Sequence, residues 1–312
     1  FSGEAFGTTY NMVILAEETP ELIHALDSLI HSVNRSLSTY DPTSAISRIN
    51  DGEQGVVVDQ MFADVFHVSQ RVYLDTEGFF DPTVGPLVNA WGFGPESVSL
   101  DRESIADSLR QLVGFDQVIL DKQYHVSFQK KGMYLDFNAI AKGYAIDRMG
   151  NMLDRRGYTD YLIEVGGEVL VKGKNTIKNS PWRIGIDDPS SEDRSQPIRT
   201  ITLTQGAMAS SGNYRKFVLD SVTGQKFVHT INPITGKAQP SSTLAVSVIA
   251  PDCATADAYA TAFMAMGLER TQAWVNRQQC TGAVDTCLDV FAVYAAPDGS
   301  LLTWETPGFS KR

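Results

Sequence analysis

The segment with the most specific chemistry spans residues 252–262, in which Asp257 and Thr261 stand four positions apart. Asp252 precedes a run of alanine and other good helix formers, which predicts a helix capped by Asp252. Positions i and i+4 lie on one face of a helix, so a carboxylate and a hydroxyl would emerge side by side. Hard oxygen ligands of this kind suit Mg²⁺ rather than zinc. An ordinary polar helix face is the alternative interpretation.

A second chemical segment, residues 135–145, predicts a strand that passes through a tight turn into a helix. A helix N-terminus offers unpaired N–H groups and the positive end of the helix dipole, which suits a phosphate group. Lys142, in the first turn, would add a positive charge. The alternative is that Asp136 or Asn138 only caps the helix and that Lys142 is solvated.

Three glycine-containing segments are further candidates. Residues 79–87 are apolar and rich in turn formers, so we expect them to line a pocket. Residues 166–167 are two glycines that allow close backbone approach. Residues 209–214 place hydroxyl groups beside a glycine in a predicted loop, which is a candidate anion or acceptor site. Each segment alone is more typical of an ordinary turn than of a functional site. None matches the dinucleotide or Walker fingerprints, so the usual nucleotide-binding folds are not indicated.

His229 ends a strand-like segment and faces a turn that Asn232 and Pro233 predict. A histidine in this position is a candidate general base, which requires a pKa near the working pH and a hydroxyl group within reach. A purely structural histidine is the alternative.

These residues must be positioned by a mixture of helices and strands. Thr19 and Pro20 predict a helix start, and apolar residues at helical spacing continue it toward Asp41 and Pro42. Further helices are predicted through residues 62–73, 140–156 and after Asp252, with Gly157 just past the second of these. Strand-like segments are residues 5–15, 118–120, 161–163, 182–186, 198–203, 214–219, 245–249 and 290–295. Strands outnumber helices and do not alternate strictly with them, which favours an α+β fold.

Composition excludes two broad classes. The 312-residue chain has 37 acidic and 26 basic side chains, a net charge of −11, which argues against binding to nucleic acid. No apolar run approaches the roughly 20 residues that a membrane helix requires. The chain begins with Phe1 and shows no signal peptide, so we expect a processed or trimmed export product.

The three cysteines fit no zinc template. Cys280 and Cys287 flank a short polar segment, and they either close it as a disulfide or remain two free thiols. A disulfide would place the protein in an oxidising compartment. Cys253, near a predicted helix start, is expected to be a small buried apolar residue.

Taken in order, these segments resemble the ApbE family of flavin transferases. The resemblance covers nearly the whole chain and is carried by residues 6–9, 37–41, 80–87, 136–144, 164–167, 210–212, 229–236 and 256–261. It implies one domain over residues 1–312, with mixed and antiparallel sheets flanked by helices. It also implies an FAD site in a cleft between two lobes.

The resemblance implies a reaction as well. Members of the family bind FAD and Mg²⁺ and transfer FMN to a Thr or Ser hydroxyl of an exported flavoprotein, with release of AMP. The implied metal ligands are Asp257, Thr261 and the backbone carbonyl of Ala139, and His229 aligns with the motif histidine and is the predicted catalytic base. The implied FAD-binding residues are Phe6, Tyr40 as a ring-stacking aromatic, Phe79, Phe80, Asp81, Asp136, Lys142 and Ile231.

The chain departs from the family pattern at several positions. Ala260 stands where some members have a second Asp, and Asn232 precedes Pro233 where an Asp-Pro turn is usual. Two competing functions are a carrier that holds FAD unchanged and a Mg²⁺-dependent pyrophosphatase that hydrolyses FAD to FMN and AMP. Retention of His229 together with the metal pair favours an enzyme over a carrier.

The resemblance also implies a location and partners. We expect a periplasmic or exported protein, with membrane attachment only through an N-terminal lipid anchor outside this chain. The expected acceptors are flavoprotein subunits of respiratory or electron-transfer complexes.

Overall fold

The computed structural model describes residues 1–15, 19–93, 102–191, 196–213, 217–219, 226–238, 241–278 and 288–312. The strands are β1 Ser2–Ala5, β2 Thr8–Ile14, β3 Val118–Leu120, β4 Val126–Phe128, β5 Tyr161–Val165, β6 Glu168–Lys172, β7 Trp182–Asp187, β8 Pro197–Leu203, β9 Gln205–Gly212, β10 Phe217–Leu219, β11 Lys226–Val228, β12 Thr243–Ala250, β13 Asp289–Ala295 and β14 Leu301–Glu305. The helices are α1 Pro20–Leu37, α2 Ala45–Asn50, α3 Gln60–Asp75, α4 Gly85–Ala90, α5 Arg102–Leu109, α6 Ala141–Arg155, α7 Cys253–Met266 and α8 Leu268–Arg277.

One antiparallel sheet organises the described part of the chain. Its strands lie in the order β1-β2-β5-β6-β9-β12-β13-β14, and the remaining strands pair as β3-β4, β7-β8 and β10-β11. Helices occur in blocks between groups of strands rather than after each strand, so the fold is α+β, as predicted. Within the described ranges, no helix combines the length and the apolar character that a membrane span requires.

The two faces of the sheet are covered by different layers. Along β9, Ala207 and Ala209 belong to the cores on the helical side, where α6 and α7 pack. Met208, between them, points to the other face and packs in the same core as Trp182 and Ile201 of the β7-β8 pair. This alternation follows from the two-residue period of a strand. The sheet is therefore enclosed between helices and a small β layer.

Local sequence signals placed the main helices correctly. Thr19 caps α1 and accepts a hydrogen bond from Leu22 N at 3.3 Å, and Asp252 caps α7 by accepting one from Thr255 N at 2.8 Å. Gly157 follows the C-cap of α6 with a positive φ of 84°, as its predicted role requires. Cys253 is fully buried in the first turn of α7, also as predicted.

Other predictions need correction. Residues 5–15 do not form one strand, because Phe6 and Gly7 adopt positive φ values of 54° and 73° and turn the chain between β1 and β2. Ser210 and Ser211 lie inside β9 rather than in a loop. The short helices α2, α4, α5 and α8 were not predicted. Cys280 and Cys287 lie outside the described residues, so their pairing stays a prediction.

Candidate active site

Helices α6 and α7 approach each other unusually closely at Gly143. A Cβ atom on Gly143 would lie 2.3 Å from the Cys253 carbonyl oxygen and 2.9 Å from Ala254 Cα. Both are backbone atoms that cannot move aside without shifting α7. Glycine at position 143 is therefore what allows the start of α6 to reach the side chains of α7.

This approach gives an N–H group at the start of α6 an acceptor. Gly143 is the third residue of α6, so its backbone N–H has no acceptor within the helix, and it donates to Asp257 Oδ2 at 3.2 Å. The Ala139 carbonyl precedes the N-cap residue Ile140, and among the described residues no donor reaches its oxygen. Asp257 is buried, with 5% of its surface exposed, so its carboxylate lies against the beginning of α6 rather than in solvent. The Ala139 carbonyl is thus available to a ligand.

Thr261 lies one turn after Asp257 on α7, as the spacing predicted. Its Oγ1 is 3.4 Å from Ser211 Oγ near the end of β9, and the neighbouring Ser210 Oγ is 2.7 Å from Ser247 Oγ on β12. Ser211, in phase with Ala207 and Ala209, therefore faces α7 and extends the polar surface around Thr261, whereas Ser210 points to the opposite face of the sheet. Ser211 was predicted only as part of an acceptor loop, not as a neighbour of the metal pair.

The donor set fits Mg²⁺. Asp257, Thr261 and Ala139 offer a carboxylate, a hydroxyl and a carbonyl, which are the hard oxygen ligands that Mg²⁺ prefers alongside water. Across the described ranges, no cluster of three or more His, Cys, Asp and Glu side chains could hold a metal ion, so a zinc-type centre is not found there.

A buried ion pair adjoins Asp257. Lys142 Nζ donates to Glu168 Oε2 at 2.8 Å, and the Glu168 side chain is 5% exposed. Burial and then the charge of Asp257 raise the pKa of Glu168 to about 7. Burial alone would lower the pKa of Lys142, but Glu168 and Asp257 outweigh it and raise that pKa, so Lys142 stays positively charged. Burial raises the pKa of Asp257, opposed by Lys142 and the Gly143 N–H.

The alternative in which Asp136 or Asn138 caps α6 is wrong. The N-cap position of α6 is Ile140, and no side chain caps it. Asp136 instead accepts a hydrogen bond from Asn138 N at 2.7 Å, and its own N–H donates to Pro82 O at 2.7 Å. The segment before α6 is thereby tied to the loop that contains Asp81.

Tyr40 is an exposed aromatic beside this segment. Its surface is 65% exposed, and burial of the remainder, followed by the charge of Asp136, raises the pKa of its hydroxyl. Asn138 Nδ2 donates to Thr39 Oγ1 at 3.3 Å, which joins the end of α1 to the turn before α6. An open ring next to the partly buried carboxylate of Asp136 suits the predicted stacking role.

Phe6 lies in the turn between β1 and β2, at the end of the sheet where β5 turns into β6. Gly166 N donates to Thr9 O at 3.1 Å, and a Cβ on Gly166 would lie 2.8 Å from Thr8 Cγ2. Glu168 begins β6 two residues later, so Phe6 lies at the same end of the sheet as the Lys142–Glu168 pair.

The remaining predicted FAD residues lie largely in the interior. Phe79, Phe80 and Ile231 are 8%, 3% and 6% exposed. Asp81 Oδ1 accepts hydrogen bonds from Thr83 N at 2.7 Å and Thr83 Oγ1 at 2.6 Å, and burial raises the pKa of Asp81 to about 6. These side chains shape the loop, and their predicted contact with FAD stays a prediction.

His229 directly follows β11 and is partly exposed, with its ring centroid 6.4 Å from that of Phe93 in an edge-to-face arrangement. Asn232 forms the predicted turn, because its Oδ1 accepts from Ile234 N at 3.0 Å and from Thr235 N at 3.1 Å. Its Nδ2 donates to Ala265 O at 3.3 Å, which attaches the loop to the end of α7. An amide thus makes the turn where the family usually has a carboxylate.

The model of the ApbE family matches residues 6–284. The chain belongs to the ApbE family. Proteins named FAD:protein FMN transferase from Vibrio cholerae and Haemophilus influenzae are 35% and 33% identical to it, covering 89% and 86% of this chain and 84% and 81% of theirs. The solved flavin transferase ApbE from Vibrio cholerae superposes with a TM-score of 0.85 at 32% identity, covering 100% of this chain and 97% of that one.

In this ApbE-family chain, the structure groups the predicted residues into two sets. Ala139, Lys142, Asp257 and Thr261 meet where α6 begins against α7. Tyr40 and Asp136 form a second set at the turn before α6. Glu168 was not predicted, although an acidic residue directly before the apolar run of β6 is a signal that could have found it.

Proposed function

We propose that this chain transfers FMN from FAD to a Thr or Ser hydroxyl of a target flavoprotein, in a Mg²⁺-dependent reaction that releases AMP. The observation that carries the proposal is the hydrogen bond from Gly143 N to Asp257, which holds a buried carboxylate against the start of α6, next to the charge of Lys142. Its relatives in Haemophilus influenzae and Vibrio cholerae are named FAD:protein FMN transferase, which supports flavin transfer as the activity.

Different residues of the site would bind the metal, the phosphate groups and the flavin. Asp257, Thr261 and the Ala139 carbonyl would hold Mg²⁺, which when bound supplies positive charge to phosphate oxygens. Lys142 adds a fixed positive charge, and Glu168 holds its ammonium group in place at 2.8 Å. Tyr40 offers an open ring face for the flavin. Phosphoryl transfer depends mainly on such positioning and electrostatic stabilisation.

The transfer itself exchanges one phosphorus–oxygen bond for another. The acceptor hydroxyl oxygen bonds to the FMN phosphorus, and the phosphoanhydride bond to AMP breaks, so that AMP leaves with the bridging oxygen. The hydroxyl proton passes to His229, which acts as general base. A positioned base of this kind contributes on the order of 10²–10⁴-fold to the rate.

Mass spectrometry after incubation with FAD, Mg²⁺ and a candidate flavoprotein tests the proposal. The expected result is the mass of FMN added to the acceptor, lost when EDTA is present or when the acceptor Thr is replaced by Val. Free FMN and AMP with an unmodified acceptor would instead indicate a pyrophosphatase. Unchanged FAD would indicate a carrier.

The proposal extends to location and partners. The family resemblance implies an exported protein, attached to a membrane only through an N-terminal lipid anchor, that acts on exported flavoprotein subunits. Fractionation of the source cells tests this part, because the protein should accompany periplasmic or membrane markers. Recovery with cytoplasmic markers would contradict it.

A further inference from the structure

A second groove opens at the far end of β9 from the candidate active site. It has a volume of about 610 Å³ and is lined by residues of α3, α6, β6 and the segment before α7. Gly206 lines it at the beginning of β9, whereas Ser211 approaches Thr261 near the other end. At about 3.4 Å per residue, the two positions are separated by about 17 Å along the strand.

Two carboxylates of this groove accept hydrogen bonds from the start of α7. Asp147 accepts hydrogen bonds from Cys253 N at 2.7 Å and from Ala254 N at 2.8 Å. Asp252 accepts from Thr255 N at 2.8 Å. Both side chains therefore satisfy backbone N–H groups that a helix N-terminus would otherwise leave unpaired.

The other two carboxylates of the groove also have internal partners. Asp64 accepts a hydrogen bond from Tyr144 Oη at 2.8 Å. Asp154 accepts from Tyr161 Oη at 3.0 Å and pairs with Lys172 Nζ at 2.9 Å. The acidic side chains of the groove are thus occupied by donors of the protein itself.

Two guanidinium groups of the groove have few acceptors within the protein. Arg71 donates one hydrogen bond, to Thr255 Oγ1 at 2.9 Å. Arg148 Nε is buried and has no hydrogen-bond partner. Among the residues that the structure describes, no carboxylate forms an ion pair with either group. Arg148 Nε is out of reach of solvent, so a ligand would meet the terminal nitrogens of the two guanidinium groups, which line the groove.

We propose that this groove binds a small dianion through Arg71 and Arg148. The planar fork of a guanidinium group matches the paired oxygens of a phosphate or a carboxylate. The volume of about 610 Å³ suits a small molecule rather than a lone ion. The groove lies farther along α6 than the candidate active site, and the inference does not depend on the proposed function.

Isothermal titration calorimetry with inorganic phosphate, and separately with succinate, tests the proposal and distinguishes the two ligand chemistries. Ionic strength is held constant with NaCl, since general screening of charge would otherwise change apparent binding. The wild-type chain should bind at least one of the two anions saturably. Arg148→Gln and Arg71→Gln should each weaken that binding at least tenfold. Arg155→Gln, an exposed position on the same helix, is the matched control and should stay within twofold of wild type.

Circular dichroism and thermal melting establish that each variant is folded before its titration is compared. Arg148 is about 9 Å along the axis of α6 from Lys142, so phosphate bound only at the candidate active site should respond little to Arg148→Gln. Absence of saturable binding to wild type would overturn the proposal. Binding that survives Arg148→Gln, or that Arg155→Gln weakens equally, would also overturn it.

Discussion

Gly143 N lies 3.2 Å from Asp257 Oδ2, and this contact couples the start of α6 to the middle of α7. Gly143 is the third residue of α6, so its N–H has no acceptor within the helix, and the carboxylate of Asp257 supplies one. A single contact therefore holds the buried carboxylate against the start of α6. The proposed metal site depends on how closely the two helices pack.

Gly143→Ala tests that dependence. The added methyl group would lie 2.3 Å from the Cys253 carbonyl oxygen, so α6 and α7 must separate. We expect the free energy of unfolding, measured in urea, to fall by about 1–3 kcal/mol, together with loss of Mg²⁺ affinity. Gly150→Ala on the same helix is the control, because its new methyl meets the movable end of the Leu170 side chain. Equal behaviour of the two variants would contradict the packing argument.

Asp257→Ala and His229→Ala should separate metal binding from proton transfer. Removing Asp257 takes away the only charged ligand of the proposed set, so both Mg²⁺ binding and FMN transfer should be lost. Removing His229 should leave Mg²⁺ binding intact and slow transfer on the order of 10²–10⁴-fold. Calorimetry with Mg²⁺ and a transfer assay measure the two effects. Full transfer activity in Asp257→Ala would reject the metal assignment.

The Lys142–Glu168 pair should be energetically coupled. Glu168→Ala leaves a largely buried ammonium without its hydrogen-bond partner at 2.8 Å, so the free energy of unfolding should fall by about 1–3 kcal/mol. Lys142→Met should recover part of that loss in the double variant, because the unpaired charge is then removed. Urea denaturation of the four proteins in a double-mutant cycle measures the coupling. Strictly additive effects would mean that the pair contributes no specific interaction.

Asp147 should make stability depend on pH. Burial and then the charges of Asp252 and Asp257 raise its pKa to about 7, against about 3.9 in an unfolded chain. Between about pH 4 and pH 7, Asp147 is protonated in the folded chain and ionised in the unfolded chain, so the folded state binds more protons. The stability that proton binding to Asp147 contributes is therefore complete below about pH 4 and is lost as pH rises through 7. Wild type should therefore lose up to about 1.4 kcal/mol more per pH unit than Asp147→Asn in that window. Urea unfolding at several pH values measures this, and parallel curves would contradict it.

Local signals in the sequence predicted the parts of the site that lie on one element. Asp252 as a cap and the spacing of Asp257 and Thr261 depend only on the geometry of α7, and both predictions about the helix are confirmed. The Lys142–Glu168 pair joins residues 26 positions apart, and no local pattern relates them. The same holds for Gly143 and Asp257, which are 114 positions apart.

The errors in the fold have a similar origin. Residues 5–15 have the composition of one strand, but Phe6 and Gly7 adopt positive φ values and divide it into two. Gly7 is the local signal of that turn, and the strand-like residues around it outweighed it in the prediction. The helices α2 and α4 have six residues each, too few to show a helical period. Long-range packing, rather than local propensity, decides such short elements.

The most direct test of the central claim is a crystal structure of the chain with FAD and Mn²⁺ as an anomalous substitute for Mg²⁺. The account predicts one ion bound by Asp257, Thr261 Oγ1 and the Ala139 carbonyl, about 2.0–2.3 Å from each oxygen, and in contact with the FAD phosphates. An ion elsewhere, or Asp257 and Thr261 pointing away from the nucleotide, would contradict it.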